Sequence, residues 1–217
     1  TSDQDGSFTI PAKKMLEICN ALSAHDEIKI SVTDTKADLT AGKSKVSLQI
    51  IPAADYPKME RNETSDAISI GNDELSNIIN KTSFAMAYQD ARHFLNGLHV
   101  CNDEGKLTSV CTDGHRLAKY TSTITCSEDL SIIIPRKCIM EINRILGANS
   151  DNREIITELY INNNFITLII DDYILISKLI EGNYPNFNKV IPESSSSTLI
   201  IDRSTLKNSL NIISKVV

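Results

Sequence analysis

The residues of this chain whose types could do chemistry gather in one short stretch. Cys111, Asp113 and His115 offer a thiol, a carboxylate and an imidazole, the ingredients of a Cys–His pair or an acid–base site. Asp113-Gly114, however, stands between two strand-like runs, Leu107 to Thr112 and Leu117 to Thr121. That is the signal of a hairpin turn. No phosphate-binding loop, nucleophile elbow or metal-ligand cluster accompanies it. The sequence therefore predicts no catalytic residue, no cofactor and no metal site. The cysteines, Cys19, Cys101, Cys111, Cys126 and Cys138, are odd in number and contain no C-x-x-C pair. They are expected as buried, reduced thiols rather than zinc ligands or a disulfide framework.

The elements that must position such residues repeat along the chain. The run Ser7-Phe8-Thr9-Ile10-Pro11-Ala12-Lys13-Lys14-Met15-Leu16 is echoed by Ser131-Ile132-Ile133-Ile134-Pro135-Arg136-Lys137-Cys138-Ile139-Met140. Tyr56-Pro57 is echoed by Tyr184-Pro185, and Ala67-Ile68-Ser69-Ile70 by Thr198-Leu199-Ile200-Ile201. The offsets drift from 124 to 128 to 131 residues, as loop insertions would cause. The phase predicts the second half of one module over 1–57, a linker over 58–66, a complete module over 67–191, a linker over 192–198, and the start of a third module over 199–217. The expectation is a stretch of a three-module protein.

Local patterns fit. Pro11 and Pro135 suit a first helical turn, where no backbone donor is needed. Four apolar stripes follow helical spacing: Met15, Ile18, Cys19, Leu22; Leu75, Ile78, Ile79, Thr82; Ile139, Ile142, Ile145, Leu146; and Leu206, Leu210, Ile213, Val217. Asp202 is placed to cap the last helix. Strand alternation marks Ile28, Ile30, Val32 and Val46, Leu48, Ile50, and Phe165–Ile170 and Tyr173–Leu179 flank an Asp171-Asp172 turn. Helices interspersed with hairpin strands predict an α+β fold of antiparallel sheets.

The net charge of −6 argues against a wholly basic nucleic-acid binder. Its distribution is uneven. The helical stretches 11–22, 72–83, 135–146 and 202–215 hold nine basic and five acidic residues, against 13 and 23 elsewhere. Basic helices on an acidic body could turn one surface to DNA; on charge alone, ordinary solvated helix faces explain them equally well. No apolar run approaches the roughly 20 residues of a membrane span. The polar start, Thr1 to Gly6, lacks the features of a secretion signal, so a cytoplasmic protein is expected.

Between Ser83 and Tyr120 the order Asp90-Ala91-Arg92-His93-Phe94-Leu95-Asn96-Gly97, then Thr112-Asp113-Gly114-His115-Arg116-Leu117-Ala118, resembles the D-x-R-x-x-L-N-G and T-D-G-H-R-L-A motifs of bacterial sliding clamps, the beta subunits of DNA polymerase III. The resemblance implies a DNA clamp fold with helices on the inner face of a ring, closed by a head-to-tail homodimer when full length. It implies a non-catalytic processivity factor that slides on double-stranded DNA without reading sequence. Its partners would be the polymerase catalytic subunit, the clamp loader and other proteins carrying a clamp-binding peptide. The peptide cleft would use Arg92, Phe94, Leu95, Thr112, Gly114, His115, Arg116, Leu117, Pro185 and Val190, with apolar walls from Leu95, Leu117, Pro185 and Val190. Phe94 stands where the family commonly has tyrosine, which would remove one polar contact. DNA contacts would fall on Lys13, Gln89, Arg136, Lys137 and Lys189. The dimer edge would fall near Val46 and Leu48, with Lys14. A peptide-binding adaptor that does not encircle DNA is the rival expectation.

Overall fold

A computed structural model describes residues 5–22, 27–57, 67–126, 130–148, 156–162 and 164–215. The chain divides into two compact units, residues 1–60 and 61–217. The expected linker at 58–66 lies outside the described residues.

The first unit runs β1 (Phe8–Thr9), α1 (Ala12–Ala21), β2 (Ile28–Val32), β3 (Lys36–Ala41), β4 (Ser44–Gln49) and β5 (Ile51–Pro52). β2, β3 and β4 form an antiparallel meander, and β1 pairs with β5. Alternation along β3 turns Ala37, Leu39 and Ala41 to one face, where Leu48 joins them opposite Ala37. β3 escaped sequence patterning because its inward residues are mostly small alanines. Cys19 is exposed on α1, contrary to the expectation of buried thiols.

The second unit repeats one order twice. β6 (Ile68–Gly71) and α2 (Asn72–Asn80) precede β7 (Gly97–Asp103), β8 (Lys106–Thr112) and β9 (Leu117–Thr125). Then β10 (Ser131–Pro135) and α3 (Arg136–Ala148) precede β11 (Ile156–Ile161), β12 (Phe165–Ile170) and β13 (Tyr173–Lys178). The sheets, however, run β10-β7-β8-β9 and β13-β12-β11-β6, antiparallel throughout. Each half lends its first strand to the other half's sheet. The architecture is therefore α+β with antiparallel sheets, as expected.

The core follows from the stripes. Leu75, Ile78 and Ile79 of α2 and Cys138, Ile139, Ile142 and Ile145 of α3 are buried against Ile70, Leu98, Ile166, Leu168 and Ile170 of the sheets. A small void of about 20 Å³ remains among these side chains; its wholly apolar lining gives a water no partner. Buried polar groups are paired across elements. Thr157 donates to Asn72 Oδ1 at 2.7 Å, joining β11 to the start of α2. Thr82 and Ser109 both donate to the Ile78 carbonyl, at 2.7 and 3.0 Å. The inward Thr157 interrupts hydrophobic alternation, which is why β11 was not legible as a strand.

Three details correct the sequence expectations. Pro11 and Pro135 each sit one residue before a helix rather than in its first turn. Pro11 is extended and its carbonyl accepts the Met15 N–H at 3.1 Å, while Pro135 ends β10. The run 198–201, which echoes β6, forms no strand, and Ile200 is 94% exposed. Among the described residues no strand edge pairs with it, and an unpaired strand is not stable in water. Asp202 does cap the following α4 (Arg203–Ile213), accepting the Thr205 N–H at 2.8 Å. Leu206, Leu210 and Ile213 nonetheless remain exposed; Val217 lies outside the described residues.

Gly97 of β7 pairs opposite Pro135 of β10. A Cβ there would lie 2.6 Å from Ile133 Cγ2 and 2.7 Å from the Ile134 carbonyl oxygen. Gly97→Ala should therefore cost about 1–3 kcal/mol of stability through overpacking, measured as a lowered midpoint in urea unfolding. A variant as stable as the parent would show that β10 is free to retreat.

Candidate functional site

The loop before β7 is held by its own motif residues. Asp90 accepts three bonds from Arg92, from the backbone N–H at 2.8 Å, Nε at 3.0 Å and a terminal nitrogen at 2.9 Å. Asn96 bonds Asp90's backbone from both sides, accepting its N–H at 2.9 Å and donating to its carbonyl at 2.8 Å. Leu95 is 2% exposed and anchors the loop from below. Gly97 then admits the crossing of β10.

The β8–β9 turn is locked in the same manner. Gly114 takes φ +88°, a left-handed conformation that glycine adopts without strain. Asp113 Oδ1 accepts the N–H groups of His115 and Arg116 at 2.9 and 3.0 Å, and Arg116 Nε reaches Oδ2 at 3.1 Å. Bonds to those backbone N–H groups hold the Asp113 carboxyl down at about 2. Thr112 Oγ1 donates to the Arg116 carbonyl at 2.7 Å and accepts the Gly114 N–H at 3.1 Å. Asp113 is thus a turn clasp. Cys111 points into the core, and burial pushes its thiol up to about 12, while His115 stands exposed on the turn. These three groups do not form a nucleophile–base pair.

The two motifs meet through Arg92. Its guanidinium lies across Gly114, where a Cβ would come within 3.1 Å, and it reaches the Asp113 carbonyl at 3.4 Å. A third segment, 180–190, joins them. Ile180 N–H donates to the Ile133 carbonyl at 2.9 Å, and Gly182, at φ +135°, borders Phe94. The Tyr184 hydroxyl is buried near the Thr112 backbone, without a well-formed hydrogen bond among the described residues. Phe187, Tyr184 and Leu117 pack with Cys101 and Val110 in a small cluster. Pro185 and Val190 face solvent, Val190 at 68%.

Arg92, Phe94, Thr112, Gly114, Leu117 and the 180–190 segment therefore share one neighbourhood, with His115 and Arg116 on the turn above it. Arg116 also lies 6.0 Å over the ring of exposed Phe84. Leu95 does not form a wall as expected; its side chain is interior and only supports the loop. Sequence patterning missed His99 and Lys119 beneath and beside the segment. The signal for His99 was a polar residue inside the apolar run Leu98-His99-Val100.

The expected DNA-contact residues are exposed or half-buried. Gln89 is exposed at φ +55°, an uncommon conformation for a residue with a side chain. Arg136 is half-buried and lies 5.5 Å over the ring of Tyr88; Lys137, Lys189 and Lys13 are exposed. At the expected dimer edge, β4 is the outer strand of its sheet among the described residues. Val46 is 37% exposed, but Leu48 is 6% exposed and faces its own unit. That edge presents backbone groups rather than the Leu48 side chain, and Lys14 is exposed on α1.

The model of the DNA polymerase III beta subunit central domain matches residues 69–186, and that of the subunit's N-terminal domain matches residues 1–60. The beta sliding clamp of Haemophilus influenzae is 35% identical over 199 residues, covering 90% of this chain and 53% of the relative. That of Escherichia coli is 32% identical over 197 residues, with 90% and 53% covered. The crystal structure of DNA polymerase III subunit beta from Pseudomonas aeruginosa superposes with a TM-score of 0.83 at 32% identity, covering 98% of this chain and 58% of that one. The Caulobacter crescentus sliding clamp gives 0.82 at 29% identity, covering 100% and 59%. The chain spans a little over half the length of the curated relatives it matches.

Two measurements test the site's electrostatics. Thiol labelling of the native protein at pH 8 should modify exposed Cys19 quickly, while Cys111 and Cys138, pushed to about 12 and 11 by burial, react only on unfolding. Rapid native labelling of Cys111 would overturn its assignment to the core. Burial also lowers the His99 imidazole from 6.5 to about 4, so between these values the unfolded chain binds a proton that the folded one refuses. Stability should be full above pH 6.5 and fall as pH drops towards 4, by on the order of 2–3 kcal/mol. His99→Leu should flatten that part of the urea-midpoint profile.

Proposed function

The chain belongs to the DNA polymerase III beta subunit family, and from that membership we propose that it serves as part of a DNA sliding clamp. The complete protein would encircle duplex DNA as a head-to-tail homodimer, with helices lining the inner face. It would tether the polymerase catalytic subunit and, in turn, the clamp loader and other proteins bearing a clamp-binding peptide. In this proposal residues 1–57 are the second half of the first clamp domain, 67–191 the second domain, and 199–217 the start of the third. The protein acts in the cytoplasm by topology and tethering, without catalysis.

The neighbourhood of Arg92, Phe94, Thr112, Gly114, His115, Arg116, Leu117, Pro185 and Val190 is the proposed peptide cleft. Exposed Pro185 and Val190 and half-buried Leu117 offer apolar contact for peptide anchors, and the turn's polar groups fix orientation. Leu95 contributes as support beneath the cleft.

The observation that carries the DNA side is where the cations stand. α1 and α3 have no acid in their first turns; they open on Lys13-Lys14 and Arg136-Lys137. α4 opens on Arg203. Cations at a helix N-terminus oppose the helix dipole, at a cost of about 0.3–1 kcal/mol each. Charge placed against local stability supports a role in facing an anion. Phosphate contacts of this kind carry no sequence information, and weak ones suffice for a ring held by topology. Gln89 and Lys189 are the further DNA contacts of this proposal.

The complete protein, loaded on nicked circular DNA, should be retained until the DNA is linearised and then slide off the ends. Retention indifferent to circularity would favour an adaptor that does not encircle DNA. Lys137→Gln separates function from stability. The variant relieves the dipole and forfeits the attraction of Lys137 for Glu141, effects of similar size. Stability should move by less than about 0.5 kcal/mol, while DNA binding weakens and the slope of log affinity against log salt shrinks by about one. An unchanged salt slope would remove Lys137 from the DNA surface.

A further inference from the structure

We propose that His99 is a positioning residue for the peptide cleft, the platform that seats the Tyr184–Val190 segment and so sets peptide affinity; the proposal rests on the cleft assignment above. His99 lies on β7 opposite Ile133 and Val110. Its neighbours Leu98 and Val100 enter the main core. Strand alternation therefore turns His99 to the other face, towards the cluster of Cys101, Val110 and Phe187. The Tyr184 ring stacks on its imidazole with centroids 4.4 Å apart and planes 9° from parallel. Phe187 meets the same imidazole edge-on at 6.1 Å.

The segment depends on these contacts. It contains one short turn, Phe187–Lys189, closed by the Val190 N–H to the Phe187 carbonyl at 3.2 Å and by the Asn188 N–H to Asn186 Oδ1 at 3.1 Å. Among the described residues no strand pairs with it. Its place is therefore fixed by side chains, and Tyr184 and Phe187 both stand on His99. Lys119 closes Phe187 from another side, with its ammonium 5.1 Å from the ring, held by Asp103 at 2.7 Å and reaching Asn188 Oδ1 at 3.4 Å. Pro185 lies between the two aromatic anchors, and Val190 follows them. The His99 ring is itself oriented by Ser131, whose hydroxyl lies 3.1 Å from Nε2, whereas Nδ1 is buried and has no partner among the described residues. An unpartnered polar atom is costly in an interior, so stability alone does not account for histidine here. The flat ring carries two aromatics, and its Nε2 sets its orientation against Ser131.

The test uses the complete protein. Amide hydrogen exchange reports seating of 184–190, and a labelled short peptide with leucine and phenylalanine anchors reports the cleft. His99→Ala should speed exchange in the segment and weaken peptide binding, each about tenfold, the scale of a lost aromatic pair. His99→Phe, which restores a flat ring, should return both to within about twofold. His99→Leu fills the space without a ring and should fall on the side of alanine, which keeps the test open if the alanine variant does not fold. Faster exchange with unchanged affinity would overturn the proposal while leaving the cleft assignment standing. A wild type that binds no peptide, yet loses protection in the alanine variant, would overturn the cleft assignment while supporting the seating role. Failure of phenylalanine to rescue a folded protein would overturn the platform itself.

Discussion

The crowding at Gly97 is the constraint on which the second unit depends. Ile133, the Ile134 carbonyl and Ile180 all converge where its side chain would be. β10 belongs by sequence to the second half of the unit but pairs with β7 of the first. β6 makes the opposite crossing to β11. Neither half can complete its sheet without the other's leading strand, so α2 and α3 are drawn together over one core. The same glycine ends the loop that presents Arg92 and Phe94. Ile180, pressed against it, begins the segment that carries Pro185 and Val190. A core packing requirement thereby fixes the spacing of three surface segments.

The polar residues of the motifs have their bonds directed inward to the motifs themselves. Asp90 is occupied by Arg92, Asn96 by the Asp90 backbone, Asp113 by the backbone of the turn, and Thr112 by the Arg116 carbonyl and the Gly114 N–H. A carboxylate that accepts backbone N–H groups is held in its charged form and has little basicity to offer. The chemistry that the residue types suggest is spent on holding shape. What is left for a partner is the surface those locked turns display: a guanidinium, a few exposed apolar side chains, and a segment seated on buried aromatics.

Much of this was legible in the sequence, and the exceptions share a cause. Helices showed through the spacing of residues such as Ile139, Ile142 and Ile145, and the β8–β9 hairpin through Asp113-Gly114. The long-range repeat was visible because the runs Ser7–Leu16 and Ser131–Met140 keep similar residues. The shorter repetition inside the second unit was not, since β6-α2 and β10-α3 share pattern rather than residues. β11 was hidden by an inward threonine whose partner, Asn72, is 85 residues away. Leu95 looked like a cleft wall and proved interior, and Leu48 looked like an interface residue and faces its own sheet. Composition cannot say which side of a loop or strand is covered; only the tertiary fold decides that. His99 stood out as a polar residue in an apolar run, but its role was unreadable for the same reason, because its aromatic partners lie far along the chain.

Charge shows the same division between local and global demands. α2 obeys the local rule, opening on Asp73 and Glu74. Glu74 is further used by the Tyr120 hydroxyl at 3.1 Å, and Lys81 at the far end of that helix sits 4.4 Å over the Tyr120 ring. These charges are tied into the unit's own packing. α3 breaks the rule with Arg136-Lys137, of which Arg136 rests on the Tyr88 ring. Two helices of one unit, on equivalent strands and in equivalent places, thus carry opposite charge at their starts. Helix propensity would favour the arrangement of α2 in both. At α3 the Tyr88 ring beneath Arg136 and the Glu141 carboxylate one turn after Lys137 offset part of that cost, and the anionic partner proposed above would add to that compensation.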